Sequence, residues 1–308
     1  MSSRFPLVGI VLVHYRDASE SLACIQSLRG SSYPARRLFV IDNNSADRSG
    51  GLIRAKLQEN EEYIFVPENR GFAAGANVGV SQAIAHGASY VFLVNPDLEV
   101  LPETLDYLVA FGQRDHKTGI MGPKVLYPPT EDGMSRVWSM GGKIDLSREA
   151  MEMLRHGEPE QVDSSAPFEC DYVPGCALLA KREVFKSIGL LPEDYFMYFE
   201  ESDWCLKAKA AGFRLMIVPE SRVLHKFDNE KMQHPFVVYY YNRNRRIFWY
   251  RHGTLRQRVF LVLRTLLKDL PRAAYAYFRA PDLRHRSVFK AHLQSCVDFL
   301  LSKKGRRR

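Results

Sequence analysis

Apolar residues in this chain fall into short β-branched runs separated by stretches of helical spacing. Leu7 to Val13 is a continuous apolar run, as expected of a strand buried on both faces. Ala18 to Leu28 follows with helical spacing through Leu22, Ile25 and Leu28. Leu38 to Ile41 predicts a second strand, then Asp42-Asn43-Asn44-Ser45, suited to a turn and an N-cap. A helix to about Leu57, a strand at Tyr63 to Val66, a helix near Ala74 to Ala85 and a strand at Tyr90 to Val94 complete a βαβαβα pattern. That pattern predicts an α/β fold with a mostly parallel, Rossmann-like sheet flanked by helices, and ligands at the carboxyl ends of its strands.

Tyr127 to Asp171 is rich in Pro, Gly, Ser and charge and predicts long loops with one hairpin around Val137 to Leu146. Lys181 to Ser187 and Glu201 to Ala211 are helical, the second closed by Gly212, and Leu215 to Val218 is a strand. Beyond Pro235 the chain turns aromatic and basic over Tyr239 to Arg246. Leu255, Val259, Val262, Leu263, Leu266 and Leu270 then share one helical face, and a basic tail ends at Arg308.

Composition narrows the classes. A chain of 308 residues with 46% hydrophobic content can bury a full core. A formal charge of +8 favours anionic partners. Five cysteines, odd in number and without metal-ligand spacing, predict reduced thiols in a cytosolic protein. Met1 to Arg4 predicts no secretory signal, and no apolar run reaches the roughly 20 residues of a bilayer span.

Candidate chemistry concentrates at strand ends. Phe199-Glu200-Glu201-Ser202-Asp203-Trp204 crowds three carboxylates before a helix. The helix dipole and an Asp203–Lys207 pair account for Asp203, but adjacent Glu200 and Glu201 point different ways, so one is expected to face a site. Asp42 suits either a nucleotide contact or an Asx-turn. The loop His14-Tyr15-Arg16-Asp17-Ala18-Ser19 has no glycine, which argues against a nicotinamide or flavin enzyme. Asn69 to Gly79 is glycine-punctuated, open to ligand approach with Asn77 as a hydrogen-bonding group, or to close helix packing. Asn95-Pro96-Asp97 can hold a hard cation or form a turn. His225 follows an apolar run that can return it to the same edge of the sheet.

Taken in order, Val11-Leu12-Val13-His14-Tyr15, Ile41 to Ser45, Asn69 to Asn77, Val94-Asn95-Pro96-Asp97, Pro174-Gly175-Cys176-Ala177-Leu178-Leu179 and Phe199 to Trp204 through His225 resemble the inverting family 2 glycosyltransferases of GT-A fold, especially their bacterial rhamnosyltransferase-like branch. The resemblance implies a catalytic domain over 1–235, with a nucleotide-sugar half to about 126 and an acceptor half from 127, followed by a basic helical region over 236–308. It implies that His14, Tyr15, Asp42, Asn44, Arg70, Gly71, Asn77, Asn95 and Asp97 meet the nucleotide sugar. Asp97, Asn95 and His225 would meet Mg²⁺ or Mn²⁺. Asn95 stands where the family frequently has Asp, so the cation would be held with one charge less. Glu201 matches the catalytic base, usually Asp, with Asp203 as the other candidate. Gly175, Cys176, Tyr198, Glu200 and Trp204 would face the acceptor.

The activity so implied is inverting transfer of a sugar, rhamnose from a dTDP-sugar among the donors, to a saccharide or lipid-diphosphate-linked acceptor in cell-surface polysaccharide synthesis. The expected location is cytoplasmic, peripheral on the inner face of the membrane. Partners follow: an anionic membrane surface, no nucleic acid, and a homodimer through the C-terminal helices. A nucleotidyltransferase and a non-catalytic nucleotide-sugar-binding protein are the alternatives.

Overall fold

The computed structural model describes residues 5–131, 133–160, 166–227 and 229–307. The chain forms two compact units. The first comprises Met1–Ile144, Met151–Leu191 and Glu201–Phe227; the second comprises Asp145–Ala150, Pro192–Glu200 and Asp228–Arg308.

The elements run in chain order β1 (Val8–His14), α1 (Ala18–Arg29), β2 (Arg36–Asp42), α2 (Ser49–Arg54), β3 (Glu61–Phe65), α3 (Phe72–Ala85), β4 (Tyr90–Val94), β5 (Leu98–Val100), α4 (Thr104–Arg114), β6 (Thr118–Leu126), β7 (Val137–Ser139), β8 (Gly142–Asp145), β9 (Ala150–Met153), β10 (Phe168–Glu169), β11 (Ala177–Lys181), α5 (Arg182–Ile188), α6 (Glu200–Ala210) and β12 (Arg214–His225). The main sheet has the order β10-β12-β6-β11-β4-β1-β2-β3. It is parallel from β4 through β1 and β2 to β3, and again between β12 and β6, whereas β11 is antiparallel to both its neighbours. Every residue of β1, β4 and β6 is buried, as the continuous apolar runs of β1 and β4 require. The core lies on both faces of the sheet: Val11, Ile41 and Leu93 on one, Ile10, Val40 and Phe92 on the other.

The glycines of α3 answer to packing. A Cβ on Gly79 would lie 2.4 Å from Val11 Cγ1, and one on Gly75 would lie 3.0 Å from Val13 Cγ1, so only glycine lets this helix close on the sheet.

Three elements depart from the sequence expectation. The region expected as long loops with one hairpin around Val137 to Leu146 carries β7, β8 and β9; β7 pairs with β6 and β8 with β9, so the hairpin lies later than expected, and residues 161–165 lie outside the described residues. Strand β6, absent from the predicted elements, contains Gly119, Gly122 and Pro123, residue types that weaken a strand pattern; here the bare glycines make room for Phe213 and Val173. Strand β12 continues well past Val218, through an irregularity between Val218 and Arg222 that absorbs Pro219 and Glu220.

The second unit contains α7 (Pro235–His252), α8 (Leu255–Arg264), a π-helical turn (Thr265–Asp269), α9 (Leu270–Phe278) and α10 (Leu283–Leu300). Thr254 and Gln257 close a capping box on α8. The basic and aromatic run of α7 lies largely inside: Tyr239, Tyr240, Arg243 and Trp249 are buried. The shared apolar face of α8 points the other way. Leu261 and Thr265 pack inward, while Leu255, Val259, Phe260, Leu263, Leu266 and Leu267 are exposed. Among the described residues no helix is long and apolar enough to cross a membrane.

Candidate active site

Sheet register brings several of the predicted residues to one edge of the first unit. His14 and Asp42 end β1 and β2 opposite one another. Val94 pairs with Leu12 on one side and Ala177 on the other, so Asn95 and Cys176 leave their strands together. The Asn95 N–H donates to the Cys176 carbonyl at 2.9 Å. His225 ends β12 opposite Leu98, the residue after Asp97.

The His14 side is knit internally. Its ring is buried, with Nδ1 2.8 Å from Ser21 Oγ and Nε2 2.8 Å from Ser49 Oγ. Burial holds its pKa below the usual histidine value, against the opposing pull of Asp42. Asp42 is also buried: Oδ1 accepts from the Ser45 N–H at 2.8 Å and Oδ2 from the Tyr63 hydroxyl at 2.5 Å. Asp42 thus closes a local turn, with Asn44 in the left-handed region at φ 59°, but it does not cap α2, whose N-cap residue Arg48 makes no side-chain cap bond. Tyr15 is exposed, with the Arg16 guanidinium over its ring. Arg70 is exposed too, and Gly71 takes φ 106° at the start of α3, where its carbonyl accepts from Asn43 Nδ2 at 3.0 Å. Asn77 is turned away from this edge. Its amide grips the Leu191 backbone at both ends, donating to the carbonyl at 2.9 Å and accepting from the N–H at 3.0 Å.

Asp97 and His225 form the second cluster. Asp97 Oδ2 lies 3.2 Å from His225 Nε2, and the rings of Trp138 and Phe227 pack on the histidine with centroids 4.6 and 5.4 Å away. Asp97 Oδ1 and His225 Nδ1 are both buried without a hydrogen-bond partner. An orphaned carboxylate oxygen is what a hard cation requires, so Asp97 fits a divalent metal, with Asn95 half-buried two residues away. Among the described residues no three His, Cys, Asp or Glu converge as a metal group. Any cation here would therefore draw its remaining ligands from diphosphate oxygens and water.

Glu201 lies against the Gly175–Cys176 turn. The Cys176 thiol is pushed up by burial and, in addition, by the charges of Asp97 and Glu201. Gly175 packs directly on Glu201: a Cβ there would lie 3.2 Å from its Cγ and 3.5 Å from its Cδ. Burial raises the Glu201 carboxyl above the usual carboxylate range, with the Glu201 and Ser202 backbone amides and the Ser202 hydroxyl offsetting part of the effect. Asp203 is fully buried with Lys207 Nζ at 3.5 Å. Trp204, expected at the acceptor, lies instead in the core. Its indole donates to the Gly189 carbonyl at 2.9 Å and its ring packs on Phe185, so burial against these partners, not an acceptor, accounts for it.

Two features escaped the sequence reading. Trp138 lies in a stretch without periodicity, so nothing marked it as the partner of His225. In the second unit, Phe196, Tyr198 and Phe199 take φ of 73°, 70° and 75°, a costly backbone for non-glycine residues. Their segment is clamped by Asn244 Nδ2, which donates to the carbonyls of Tyr195 at 2.8 Å and Met197 at 2.6 Å, and by Arg243 Nη2, which donates to Tyr195 O at 2.8 Å. The chain then runs directly through buried Glu200 into Glu201.

This sheet, with its acid-bearing strand ends, is of the GT-A type. A mannosyltransferase from Pyrobaculum calidifontis, solved with GDP-Man and Mn²⁺, superposes with a TM-score of 0.61 at 15% identity, covering 98% of this chain and 89% of that one. The Glycosyl transferase family 2 profile matches residues 10–189, more than half of the chain, and the chain belongs to that family. It is a glycosyltransferase. It is 24% identical over 241 residues to a Haloferax volcanii hexosyltransferase of low-salt glycan biosynthesis, covering 77% of this chain and 74% of the relative. It is 23% identical over 247 residues to the N-acetylglucosaminyl-diphospho-decaprenol L-rhamnosyltransferase of Mycobacterium tuberculosis, covering 71% and 76%.

Proposed function

We propose that the chain transfers a sugar, rhamnose from a dTDP-sugar first among the donors, to a hydroxyl of a saccharide or lipid-diphosphate-linked acceptor with inversion at the anomeric carbon. The observation that carries this reading is an orphaned Asp97 oxygen together with a carboxyl of raised pKa at Glu201, both close enough for their charges to act on the Cys176 thiol. Asp97, Asn95 and His225 would hold Mg²⁺ or Mn²⁺ against the donor diphosphate; His225, bonded to Asp97, fixes the carboxylate's orientation. When bound, that cation offsets charge on the departing diphosphate. The loops ending β1 and β2 receive the nucleotide, and Gly175 and Cys176 line the acceptor side.

Glu201 accepts the proton of the acceptor hydroxyl as the oxygen bonds to the anomeric carbon. The bond from that carbon to the diphosphate oxygen breaks, and the nucleoside diphosphate leaves with the electron pair. The raised pKa makes the Glu201 carboxylate a stronger base than a solvated one. Asp203 is less suited, being sealed against Lys207. Of the two occupants expected for the C-terminal helices, a membrane surface and a second copy, the exposed apolar face of α8 favours the membrane, consistent with a lipid-linked acceptor.

The test is a screen of nucleotide sugars against saccharide and lipid-linked acceptors, with product anomeric configuration read by NMR. Donor-dependent, chelator-sensitive product of inverted configuration is expected; retained configuration, or full activity in excess chelator, would contradict the proposal.

A further inference from the structure

The second unit holds a cavity of about 460 Å³ bounded by α7, the end of α8, the π-helical turn, α9 and α10. Arg245, Arg246, Arg264 and Arg272 line it, with Asp269 as the acid among its lining residues. Arg246 Nη2 and Arg264 Nε approach Asp269 at 3.6 and 3.8 Å, and Arg264 also pairs with Glu149 at 2.8 Å. Four guanidinium groups thus meet two carboxylates, and Arg245 and Arg272 are exposed with no ion pair among the described residues. Two donors in the wall are buried and unused: Arg246 Nε and the indole Nε1 of Trp249, a residue only 4% exposed. Buried donors without acceptors are costly in a folded protein unless a ligand supplies the acceptor. His292 lies in the same wall, where burial, reinforced by the nearby Arg246, holds its pKa below the usual histidine value.

The cavity opens on helices whose outer surface is apolar. Arg272 and Ala273 of α9 line it, whereas Tyr275 and Phe278 of the same helix are 64% and 78% exposed. Leu266 and Leu267 of the π-helical turn, which also supplies Asp269, are exposed as well. Arg279 stacks over Tyr275 and Arg286 over Tyr277, setting cations beside exposed or half-buried rings. A second copy of this chain would bring the same arginines against these, and like charges repel; an anionic lipid supplies both the acid and the hydrocarbon.

We infer that this cavity binds the phosphate headgroup of a membrane-embedded anionic lipid, with the lipid's hydrocarbon lying along the exposed apolar side of α8, the π-helical turn and α9. Arg245 and Arg272 meet the phosphate oxygens from solvent, and Arg246 Nε and Trp249 Nε1 donate from the wall. The inference rests on the reading of the chain as a transferase acting at a membrane surface, and it names the residues that would hold it there.

Flotation of the full chain with phosphatidylcholine vesicles, with and without phosphatidylglycerol, tests it. Recovery should require phosphatidylglycerol. Arg245→Ala and Arg272→Ala should each weaken it about fivefold, the usual scale for one basic residue at an anionic surface. Phe278→Ser should weaken it too, and inorganic pyrophosphate should release the protein further than chloride at equal ionic strength. Melting temperatures of the variants close to wild type would exclude misfolding, since these positions are exposed. Equal recovery on neutral vesicles, full retention by the Arg245→Ala/Arg272→Ala double variant, or no release by pyrophosphate beyond the chloride control would overturn the inference. Undiminished vesicle binding by Phe278→Ser, with pyrophosphate alone protecting the protein from heat, would assign the cavity to free phosphate instead and overturn the lipid assignment. Flotation reads no sugar transfer, so its outcome stands whatever the donor screen returns, and its failure leaves donor binding at Asp97 untouched.

Discussion

Adding one methyl group at Gly175 should slow catalysis without dismantling the fold. Gly175 is half-buried and outside the left-handed region, so alanine suits its backbone. The new Cβ would meet Glu201 Cγ at 3.2 Å and Cβ at 3.3 Å. Comfortable carbon–carbon contact begins at roughly 3.5 to 4.0 Å, so the Glu201 side chain must give way by about 0.3 to 0.8 Å. A misplacement of about 1 Å at a reacting group can cost about 10²-fold, which scales to a loss of roughly four- to forty-fold here. Stability should change little, because the reduced freedom of the unfolded chain, worth about 0.4–1 kcal/mol, offsets the tighter contact. The assay is single-turnover transfer with saturating donor and acceptor, alongside donor affinity by calorimetry. A wild-type rate in Gly175→Ala, or a donor affinity that falls as far as the rate, would refute the placement of Glu201 as the base beside this loop.

Other consequences can be checked independently. Trp204→Ala should destabilise the protein by about 3–5 kcal/mol in denaturant titration, the scale for emptying a buried aromatic site; a cost below about 1 kcal/mol would contradict its place in the core. Glu201→Gln should raise the melting temperature at about pH 8 and lose that gain near pH 4. The folded-state pKa of Glu201 is raised, so its stabilising contribution is complete below the unfolded pKa and is lost as pH rises through the folded one, leaving a penalty that glutamine avoids. Asp97→Ala should weaken nucleotide-sugar binding by about tenfold or more and abolish the effect of added Mg²⁺ or Mn²⁺, whereas unchanged metal-dependent binding would remove Asp97 from the metal.

The βαβαβα half was legible because β1, β4 and the Leu38–Ile41 stretch of β2 are buried on both faces, and a stretch so placed must be apolar. Strand β6 was hidden by Gly119, Gly122 and Pro123, whose presence reflects neighbours far off in sequence: Phe213 and Val173 occupy the space that side chains would fill. Asp97, Glu201 and His225 could be singled out because polar residues after apolar runs must lie at strand ends or helix starts. Asn77 and Trp204 belong to the same motifs, yet their partners, Leu191 and Gly189, come from one turn that no periodicity announces. The apolar stripe of α8 was visible as a stripe, but spacing alone does not say which side of a helix meets the protein. Here the inward side is taken by Leu261 and Thr265.

The central claim, that Glu201 removes the acceptor proton in a site that binds donor independently of it, is tested most directly by Glu201→Gln. Donor affinity and single-turnover transfer would be measured on the same preparation. The account predicts a donor dissociation constant within about threefold of wild type and a transfer rate lowered by about 10²-fold or more, the scale of a lost general base. A near-normal rate in Glu201→Gln, with collapse in Asp203→Asn, would contradict it and move the base to Asp203.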